Sequence, residues 1–263
     1  MDLGLKGRSA AVAAASRGLG RATAIALARE GCLVAVCGRD PVKIRASADF
    51  IERETGGRAL AVTADVRSPS DCDRFIGETV DAFGRLDILV TNTGGPPAGN
   101  FEATAAEEWE KAYGGLLANV IHLIRAAVPH MKQAKWGRIL NVASLSVKQP
   151  IDNLILSNTF RPAIAGFSKS LSKELGPHGI LVNTICPGYT RTDRLEELAE
   201  ARGKQTGATK EQFYEMLGKS IPLGRIAEAE EFASVAAFLC SERASYVSGC
   251  ALAVDGGASM GLA

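Results

Sequence analysis

The chain has no excess of charge of either sign and no long apolar segment. It contains 30 Lys and Arg residues and 29 Asp and Glu residues, which gives a formal net charge of +1. Proteins that bind nucleic acids or anionic membranes usually carry a basic surface, so neither partner is expected. No segment approaches the roughly 20 apolar residues of a membrane-spanning helix, and the first residues contain no apolar leader segment. We therefore expect a cytoplasmic protein.

Paired cysteines are also missing. The six cysteines are scattered without a Cys-x-x-Cys pair, and Cys32, Cys37 and Cys186 lie in apolar, strand-like segments. Buried and reduced thiols explain this pattern better than disulfides or a metal site. We expect no bound metal.

Short apolar segments alternate with longer amphipathic ones along the 263 residues, of which 46% are hydrophobic and 22% charged. This composition is ordinary for a globular domain. Segments that are apolar on both faces suit parallel strands covered by helices on each side. The expected strands comprise residues 9–14, 33–37, 60–63, 88–91, 139–142, 181–185 and 252–254. The pattern predicts one α/β domain over residues 1–263, a doubly wound Rossmann-type fold with a central parallel sheet.

Helix boundaries can be placed at three positions. An apolar stripe over residues 17–29 predicts the first crossover helix, and Asp40 followed by Pro41 is typical of a helix start. Thr104 and Glu107 match the pattern of a capping box, which predicts a helix from there to about residue 131.

One segment, at about 190–222, differs from the rest. It is rich in charge and contains apolar residues spaced for two short amphipathic helices between a strand and the next long helix. Long insertions at such a place are often functional lids, and we expect a substrate lid here. A solvated excursion without a role in catalysis would give the same pattern.

A glycine-containing turn follows the first predicted strand. The stretch Ser16-Arg17-Gly18-Leu19-Gly20 opens the first predicted helix. Glycine lets the backbone approach a pyrophosphate, and the helix N-terminus offers unpaired N–H groups and a positive dipole end. A tight turn without a ligand could use the same residues. The strand before it and the helix after it favour a dinucleotide site.

An arginine, rather than an acid, follows the second predicted strand. Arg39 comes directly after Cys37-Gly38, and the neighbouring Asp40 is already explained as a helix cap. A carboxylate at this place would bind the ribose hydroxyls of NAD, whereas a guanidinium matches a 2′-phosphate in charge and geometry. Arg17 can reach the same phosphate. Both arginines could be solvated surface charges, but their convergence predicts NADP(H) as the cofactor.

Further segments after the predicted strands resemble the motifs of the short-chain dehydrogenase/reductase family. They are Asp65-Val66, Asn92 with Gly94, Pro187-Gly188 with Thr192, and the closing turn Asp255-Gly256-Gly257. The resemblance extends over nearly the whole chain. It implies that Asp65 and Val66 contact adenine and that Pro187, Gly188 and Thr192 hold the nicotinamide. Ala14 stands where the family has its first glycine, so its backbone must avoid a positive φ or accept strain.

Most of the catalytic positions implied by the resemblance carry different residues. Ser144 matches the serine that orients the substrate, but Ser157 replaces the proton-donating tyrosine and Arg161 replaces the lysine of the Tyr-x-x-x-Lys pair. Leu116 stands where an asparagine continues the proton relay. A tyrosine titrates near pH ~10, and a serine hydroxyl is a much weaker acid. Arg161 can still bind the nicotinamide ribose, so Ser144, Ser157 and Arg161 are the expected catalytic positions.

The sequence leaves the proton donor open. Tyr189 follows Pro187-Gly188 directly, and Lys148 and Asp152 lie in the loop between Ser144 and Ser157. Each could donate a proton directly or through water. A pocket wall formed by Tyr189, with Lys148 and Asp152 solvated, fits the sequence equally.

The resemblance implies an NADP(H)-dependent oxidoreductase similar to 3-oxoacyl-carrier-protein reductases, acting on a small-molecule carbonyl or alcohol. The rival interpretation is a non-catalytic NADP(H)-binding protein that serves as a sensor or an assembly module. The family also implies a homotetramer, formed through the helices at about residues 104–131 and 157–175.

Overall fold

A seven-stranded parallel sheet forms the centre of the molecule. The computed structural model describes residues 1–261, and within residues 193–206 the described side chains exclude those of 194, 198, 201, 202 and 204–206. The strands of the sheet are β1 (Ser9–Val12), β2 (Leu33–Gly38), β3 (Ala59–Thr63), β4 (Ile88–Thr91), β5 (Gly137–Val142), β6 (Ile180–Pro187) and β9 (Ala251–Val254). Their order is β3-β2-β1-β4-β5-β6-β9, and every neighbouring pair is parallel. Two short strands, β7 (Thr190–Arg191) and β8 (Ala227–Glu228), pair outside the sheet.

Helices cover both faces of the sheet. They are α1 (Gly18–Arg29), α2 (Pro41–Thr55), α3 (Pro69–Phe83), α4 (Ala106–Ala112), α5 (Asn119–Ala134), α6 (Ile155–Leu175), α7 (Asp193–Thr206), α8 (Lys210–Lys219) and α9 (Ala229–Leu239). The molecule is a single-domain, doubly wound α/β fold, as the sequence predicts. The strand order reverses between β1 and β4, and ligands of such folds bind at the carboxyl ends of the strands beside this switch point.

The core consists of one apolar layer on each side of the sheet. On one side, Val12 of β1 packs in a cluster with Leu27 of α1 and Phe232 of α9. On the other side, Leu89 of β4 packs in a cluster with Phe75 of α3. Alternate residues of a strand face opposite sides of the sheet, and helices cover both sides. Every residue of β1 and β4 is therefore buried.

All seven predicted strands are present, with shifts of one to a few residues at their ends. The predicted capping box was wrong. The helix begins one residue later, with Ala105 at the N-cap, and Glu108 Oε2 accepts a hydrogen bond from the Ala105 N–H at 3.1 Å. Thr104 instead donates its hydroxyl proton to the Asn100 carbonyl at 2.6 Å. The carboxylate that satisfies the first turn is therefore one residue further along than the sequence pattern indicates.

The predicted helix over residues 104–131 is also not a regular α-helix. A π-helical segment, Tyr113–Ala118, separates α4 from α5. It contains the Gly114-Gly115 pair and Leu116. π-Helical insertions widen a helix locally and are frequent at functional sites. This one brings Gly115 and Leu116 to the wall of the main cleft.

A buried polar network ties the central strands to α6. Thr91 donates to Asn141 Oδ1 at 2.6 Å, and Asn141 Nδ2 donates to Ser168 Oγ at 2.8 Å. Thr184 donates to the same Ser168 hydroxyl at 2.9 Å, and Ser168 donates to the Ile164 carbonyl at 2.7 Å. Each of these side chains is therefore paired, as buried polar groups require.

Two arginines stack on one tryptophan at the amino ends of the strands. The guanidinium carbons of Arg8 and Arg138 lie 3.9 and 4.2 Å from the ring centroid of Trp136. Arg138 is buried, and it donates to the carbonyls of Ser241 at 3.2 Å and Gly137 at 2.9 Å. This cluster lies at the amino ends of the strands, away from the cleft at their carboxyl ends.

Within residues 1–261, none of the helices has the length and apolar character needed to cross a membrane.

Candidate active site

The carboxyl ends of the strands enclose a cleft with a cavity of about 690 Å³. Twelve of the residues predicted to form the site line it. They are Ser16, Arg17, Gly18, Leu19, Arg39, Asp65, Val66, Asn92, Gly94, Arg161, Pro187 and Thr192. The structure therefore brings together most of the residues that the sequence analysis selected, although they are spread over more than half of the chain.

The glycine turn leaves the first turn of α1 open to a ligand. Arg17 is the N-cap residue of α1, and its side chain makes no capping hydrogen bond. The unpaired N–H groups and the positive dipole end therefore face the cleft, where they suit a pyrophosphate. Ala14 adopts a positive φ of 48°, so the backbone accepts the conformation that a glycine would take at lower cost.

Gly20 serves the turn by its lack of a side chain rather than by contact with the cleft. A Cβ atom at this position would lie 2.6 Å from the Ala14 carbonyl oxygen and 2.9 Å from Asn92 Nδ2. Both distances are shorter than van der Waals contact. Asn92 Nδ2 donates to that same Ala14 carbonyl at 3.3 Å, which joins the glycine turn to the end of β4.

A second cavity of about 500 Å³ lies beside the end of β2. It is lined by Ser16, Arg17, Arg39, Asp40, Lys43 and Glu197. Asp40 caps α2 as predicted, since its Oδ1 accepts from the N–H groups of Val42 at 3.0 Å and Lys43 at 3.1 Å. Lys43, which the sequence analysis missed, adds a third cation to the two predicted arginines. Three cations around one small cavity suit a phosphate group.

The part of the cleft wall predicted to contact adenine contains a further arginine that the sequence analysis missed. Arg67 binds both carboxylate oxygens of Asp65. These hydrogen bonds, together with the nearby charge of Arg39, hold the pKa of Asp65 below its usual range. Asp65 is therefore an ionised acceptor beside Val66 and Arg67 on the cleft wall.

The two serines predicted at the catalytic positions do not line the cavity. Ser144 lies just beyond β5, and its hydroxyl accepts from the Ser146 N–H at 3.2 Å. The Ser157 hydroxyl lies 3.0 Å from the Ser146 hydroxyl, and both of these side chains are buried. The Ser157 hydroxyl is therefore hydrogen-bonded to Ser146, a buried serine that the sequence analysis did not single out.

Arg161 is the one predicted catalytic residue on the cavity wall. It is buried, and its Nη1 donates to the Val142 carbonyl at 2.9 Å. Among residues 1–261, its Nε has no hydrogen-bond partner and its guanidinium has no carboxylate within ion-pair distance. Burial lowers the pKa of Arg161 to about 10, so the side chain is a cation at neutral pH. It can bind polar groups that enter the cleft.

Leu116 makes the wall near Arg161 apolar. It is 2% exposed and packs with Ala112 and Leu156 in a small apolar cluster. It lines the cavity from the π-helical segment. No polar atom is therefore supplied at this position for a proton relay.

The three candidate proton donors differ in their surroundings. Lys148 is half-buried. Burial raises the pKa of the Cys186 thiol, at the end of β6, to about 11, and the charge of Lys148 opposes this rise. Tyr189 is 40% exposed, and Asp152 is exposed. None of the three lines the main cavity. The charge of Lys148 therefore acts at the end of β6, which Tyr189 follows by two residues.

The segment at about 190–222 contains two helices, α7 and α8, as the sequence predicts. Leu195 packs with Ile221 and Ile226 in an apolar cluster that Phe213 and Leu217 extend. Thr192 and Asp193, at the start of α7, line the main cavity. The segment therefore borders the cleft, and its role as a substrate lid stays a prediction.

A parallel sheet with its switch point beside an open glycine turn, together with a cavity lined by cations, defines a dinucleotide-binding protein of the doubly wound class. A family model described as "Enoyl-(Acyl carrier protein) reductase" matches residues 13–259. The chain belongs to the short-chain dehydrogenase/reductase family.

Relatives match over almost the whole chain. A 3-oxoacyl-[acyl-carrier-protein] reductase of Aquifex aeolicus is 31% identical over 257 residues, which are 98% of this chain and 99% of the relative. The NADPH-dependent reductase BacG of Bacillus subtilis is 30% identical over 251 residues, 95% of this chain and 97% of the relative. The crystal structure of L-sorbose reductase from Gluconobacter frateurii, complexed with NADPH and L-sorbose, superposes with a TM-score of 0.96 at 32% identity, and each chain is covered completely.

Proposed function

We propose that the chain is an NADPH-dependent oxidoreductase that reduces the carbonyl group of a small molecule. The observation that carries this proposal is the cavity at the end of β2, where Arg17, Arg39 and Lys43 surround space for a phosphate. Full-length relatives include an NADPH-dependent reductase and a sugar reductase complexed with NADPH. We also propose a cytoplasmic location and a substrate lid formed by α7 and α8.

The residues on the cleft wall fit the cofactor part by part. The open N-terminus of α1 suits the pyrophosphate, and the cavity of Arg39 and Lys43 suits the 2′-phosphate. Asp65 and Val66 would hold the adenine end. The unpartnered Nε of Arg161 suits the hydroxyls of the nicotinamide ribose. When bound, NADPH supplies the hydride for carbonyl reduction.

Proton delivery differs from the usual arrangement of the family. Arg161 stays protonated at neutral pH, so it provides positive potential but does not pass on a proton. Ser157 is bonded to Ser146 and is too weak an acid to donate directly. Ser144 would orient the carbonyl, and Lys148 or a water molecule would deliver the proton. We therefore expect the protein to reduce simple ketones slowly.

The function is tested by NADPH consumption with a panel of 3-oxoacyl thioesters, ketoses and simple ketones. Turnover of any panel member with stoichiometric alcohol formation supports a reductase. Tight NADPH binding without turnover across the panel would contradict the proposal and favour a non-catalytic NADP(H)-binding protein.

The two cofactors should bind with different affinities. NADPH is expected to bind at least about tenfold more tightly than NADH, because one charge-assisted hydrogen bond to the 2′-phosphate contributes about 1.5–3 kcal/mol. Arg39→Ala should remove most of this preference in titration calorimetry. Arg45→Ala is the matched control, because Arg45 lies in α2, close to Arg39 in the sequence, but pairs with Asp49 at 3.4 Å and lines neither cavity. Equal affinities in the wild type would refute the assignment of the phosphate cavity.

We also propose a homotetramer that forms through α6 and the helix pair α4 and α5. Ala163 and Gly166 of α6 are small and exposed, which allows close helix contact between subunits. Light scattering at micromolar concentration should give four times the mass of one chain. Gly166→Glu should dissociate the assembly without unfolding the subunit, since a Cβ at Gly166 meets no atom within 4 Å. A wild-type monomer would contradict the proposal.

A further inference from the structure

The first turn of α7 lies directly on the glycine turn. Arg17 Nη1 is 2.7 Å from Glu197 Oε1, and Arg17 Nε is 3.7 Å from Asp193 Oδ2. A Cβ atom at Gly18 would lie 3.7 Å from the Cβ of Thr192, so the two segments are in contact. The arginine that opens the cofactor site is therefore bound to two carboxylates of the proposed lid.

The same glutamate also lines the cavity assigned to the 2′-phosphate. Arg17, Arg39 and Lys43 face two acids there, Asp40 and Glu197. Asp40 is fixed, because its carboxylate accepts two backbone N–H groups at the start of α2. Glu197 belongs to α7, and its ion pair with Arg17 is half exposed to solvent. It is therefore the acid that occupies the guanidinium of Arg17 at the place assigned to the phosphate.

We propose that Glu197 limits the preference for NADPH over NADH by competing with the 2′-phosphate of NADPH for Arg17. A phosphate dianion and a carboxylate cannot both bind one guanidinium closely without repelling each other. NADPH therefore displaces Glu197 from Arg17 and separates the first turn of α7 from the glycine turn. NADH brings no 2′-phosphate and leaves the contact intact. This inference rests on the proposed function, since it takes NADPH as the cofactor.

The competition makes the two cofactors respond differently to one substitution. Glu197→Gln removes the competing charge, so NADPH should bind more tightly by up to about fivefold, the upper end for the loss of one exposed ion pair. The affinity for NADH should stay the same. A substitution that merely disturbed the fold of α7 would change both affinities together. The ratio of the two dissociation constants is therefore the readout, measured by titration calorimetry on the full-length chain.

Glu200→Gln is the matched control. Glu200 lies on the same helix, loses the same charge, and pairs with Lys210 at 2.8 Å rather than with Arg17. Neither cofactor affinity should change in this variant. In an Arg17→Ala background, Glu197→Gln should no longer alter the affinity for NADPH, because the shared guanidinium is gone.

Two results would overturn the competition. Equal tightening of NADPH and NADH in Glu197→Gln would indicate a general electrostatic effect, and weaker NADPH binding would indicate that Glu197 orients Arg17 for the phosphate. A wild type that binds no NADPH would instead overturn the proposed function itself. If the wild type binds NADPH but Glu197→Gln leaves its affinity unchanged, only the competition is refuted, and the proposed function stands.

Discussion

The combined substitution Ser157→Tyr, Arg161→Lys and Leu116→Asn is expected to raise the rate of NADPH-dependent ketone reduction by about 10²–10⁴-fold. A well-placed general acid contributes this much to a proton-transfer step. In the wild type, the Ser157 hydroxyl bonds to Ser146 inside the protein, and Leu116 presents an apolar surface to the cleft. The three changes supply the acid, the amine that lowers its pKa, and a polar group for the relay.

The matched control replaces Ser157 with Phe in the same triple variant. The phenylalanine ring fills the same space as the tyrosine ring but carries no hydroxyl, so the rate should fall back to the wild-type level. Steady-state rates with saturating NADPH separate the two variants, and circular dichroism confirms that both fold. A wild type that is already faster than the tyrosine variant would show that a present group, such as Lys148 or Tyr189, is an efficient donor.

Replacing Arg161 with Met is expected to weaken NADPH binding by about ten- to hundredfold without lowering the melting temperature. A hydrogen bond to a charged group contributes about 1.5–3 kcal/mol, which accounts for the loss of affinity. The folded protein loses one hydrogen bond, from Arg161 Nη1 to the Val142 carbonyl, but it also loses a buried charge that burial disfavours and an Nε without a partner among the described residues. Replacing such a buried charge with an apolar side chain is often neutral or stabilising.

Arg138→Met is the control for this prediction. Arg138 and Arg161 are both 5% exposed, but Arg138 lies at the amino ends of the strands and Arg161 at the carboxyl ends. Arg138 pairs with two carbonyls and stacks on Trp136, so its loss should destabilise the fold by about 1–3 kcal/mol. Its distance from the cleft should leave the affinity for NADPH unchanged. If Arg161→Met lowers the melting temperature and leaves the affinity of the folded protein for NADPH unchanged, Arg161 stabilises the fold and does not bind the cofactor.

The sheet and the glycine turn could be predicted because their signals are local. Apolar segments such as residues 33–37 and 139–142 identify strands by themselves, and Arg39 follows its strand directly. The turn from Ser16 to Gly20 lies between a strand and a helix that are both recognisable from the sequence. Parallel topology then brings these strand ends to one edge, which is why twelve predicted residues line one cavity.

The residues that were missed depend on contacts between distant segments. Glu197 meets Arg17 across 180 positions, and Ser146 meets Ser157 only because α6 packs against the end of β5. Lys43 lies in the first turn of α2, after the Asp40 cap, and lines the same cavity as Arg39. The π-helical segment was missed because its sequence continues the helical pattern on both sides. In each case the decisive information is tertiary packing rather than a sequence pattern.

The hydrogen bonds among Thr91, Asn141, Ser168 and Thr184 fix which residues of neighbouring strands lie side by side. Strands that are apolar on both faces specify their register weakly, because a shifted strand still buries hydrophobic side chains. A slip of one residue between β4 and β5 would separate Thr91 from Asn141, and both polar groups would be buried unpaired. Ser168 extends the same constraint to the rotation of α6, two helical turns after Arg161. The hydrogen bonds that fix the strand register and the rotation of α6 therefore also fix where the guanidinium of Arg161 enters the cleft.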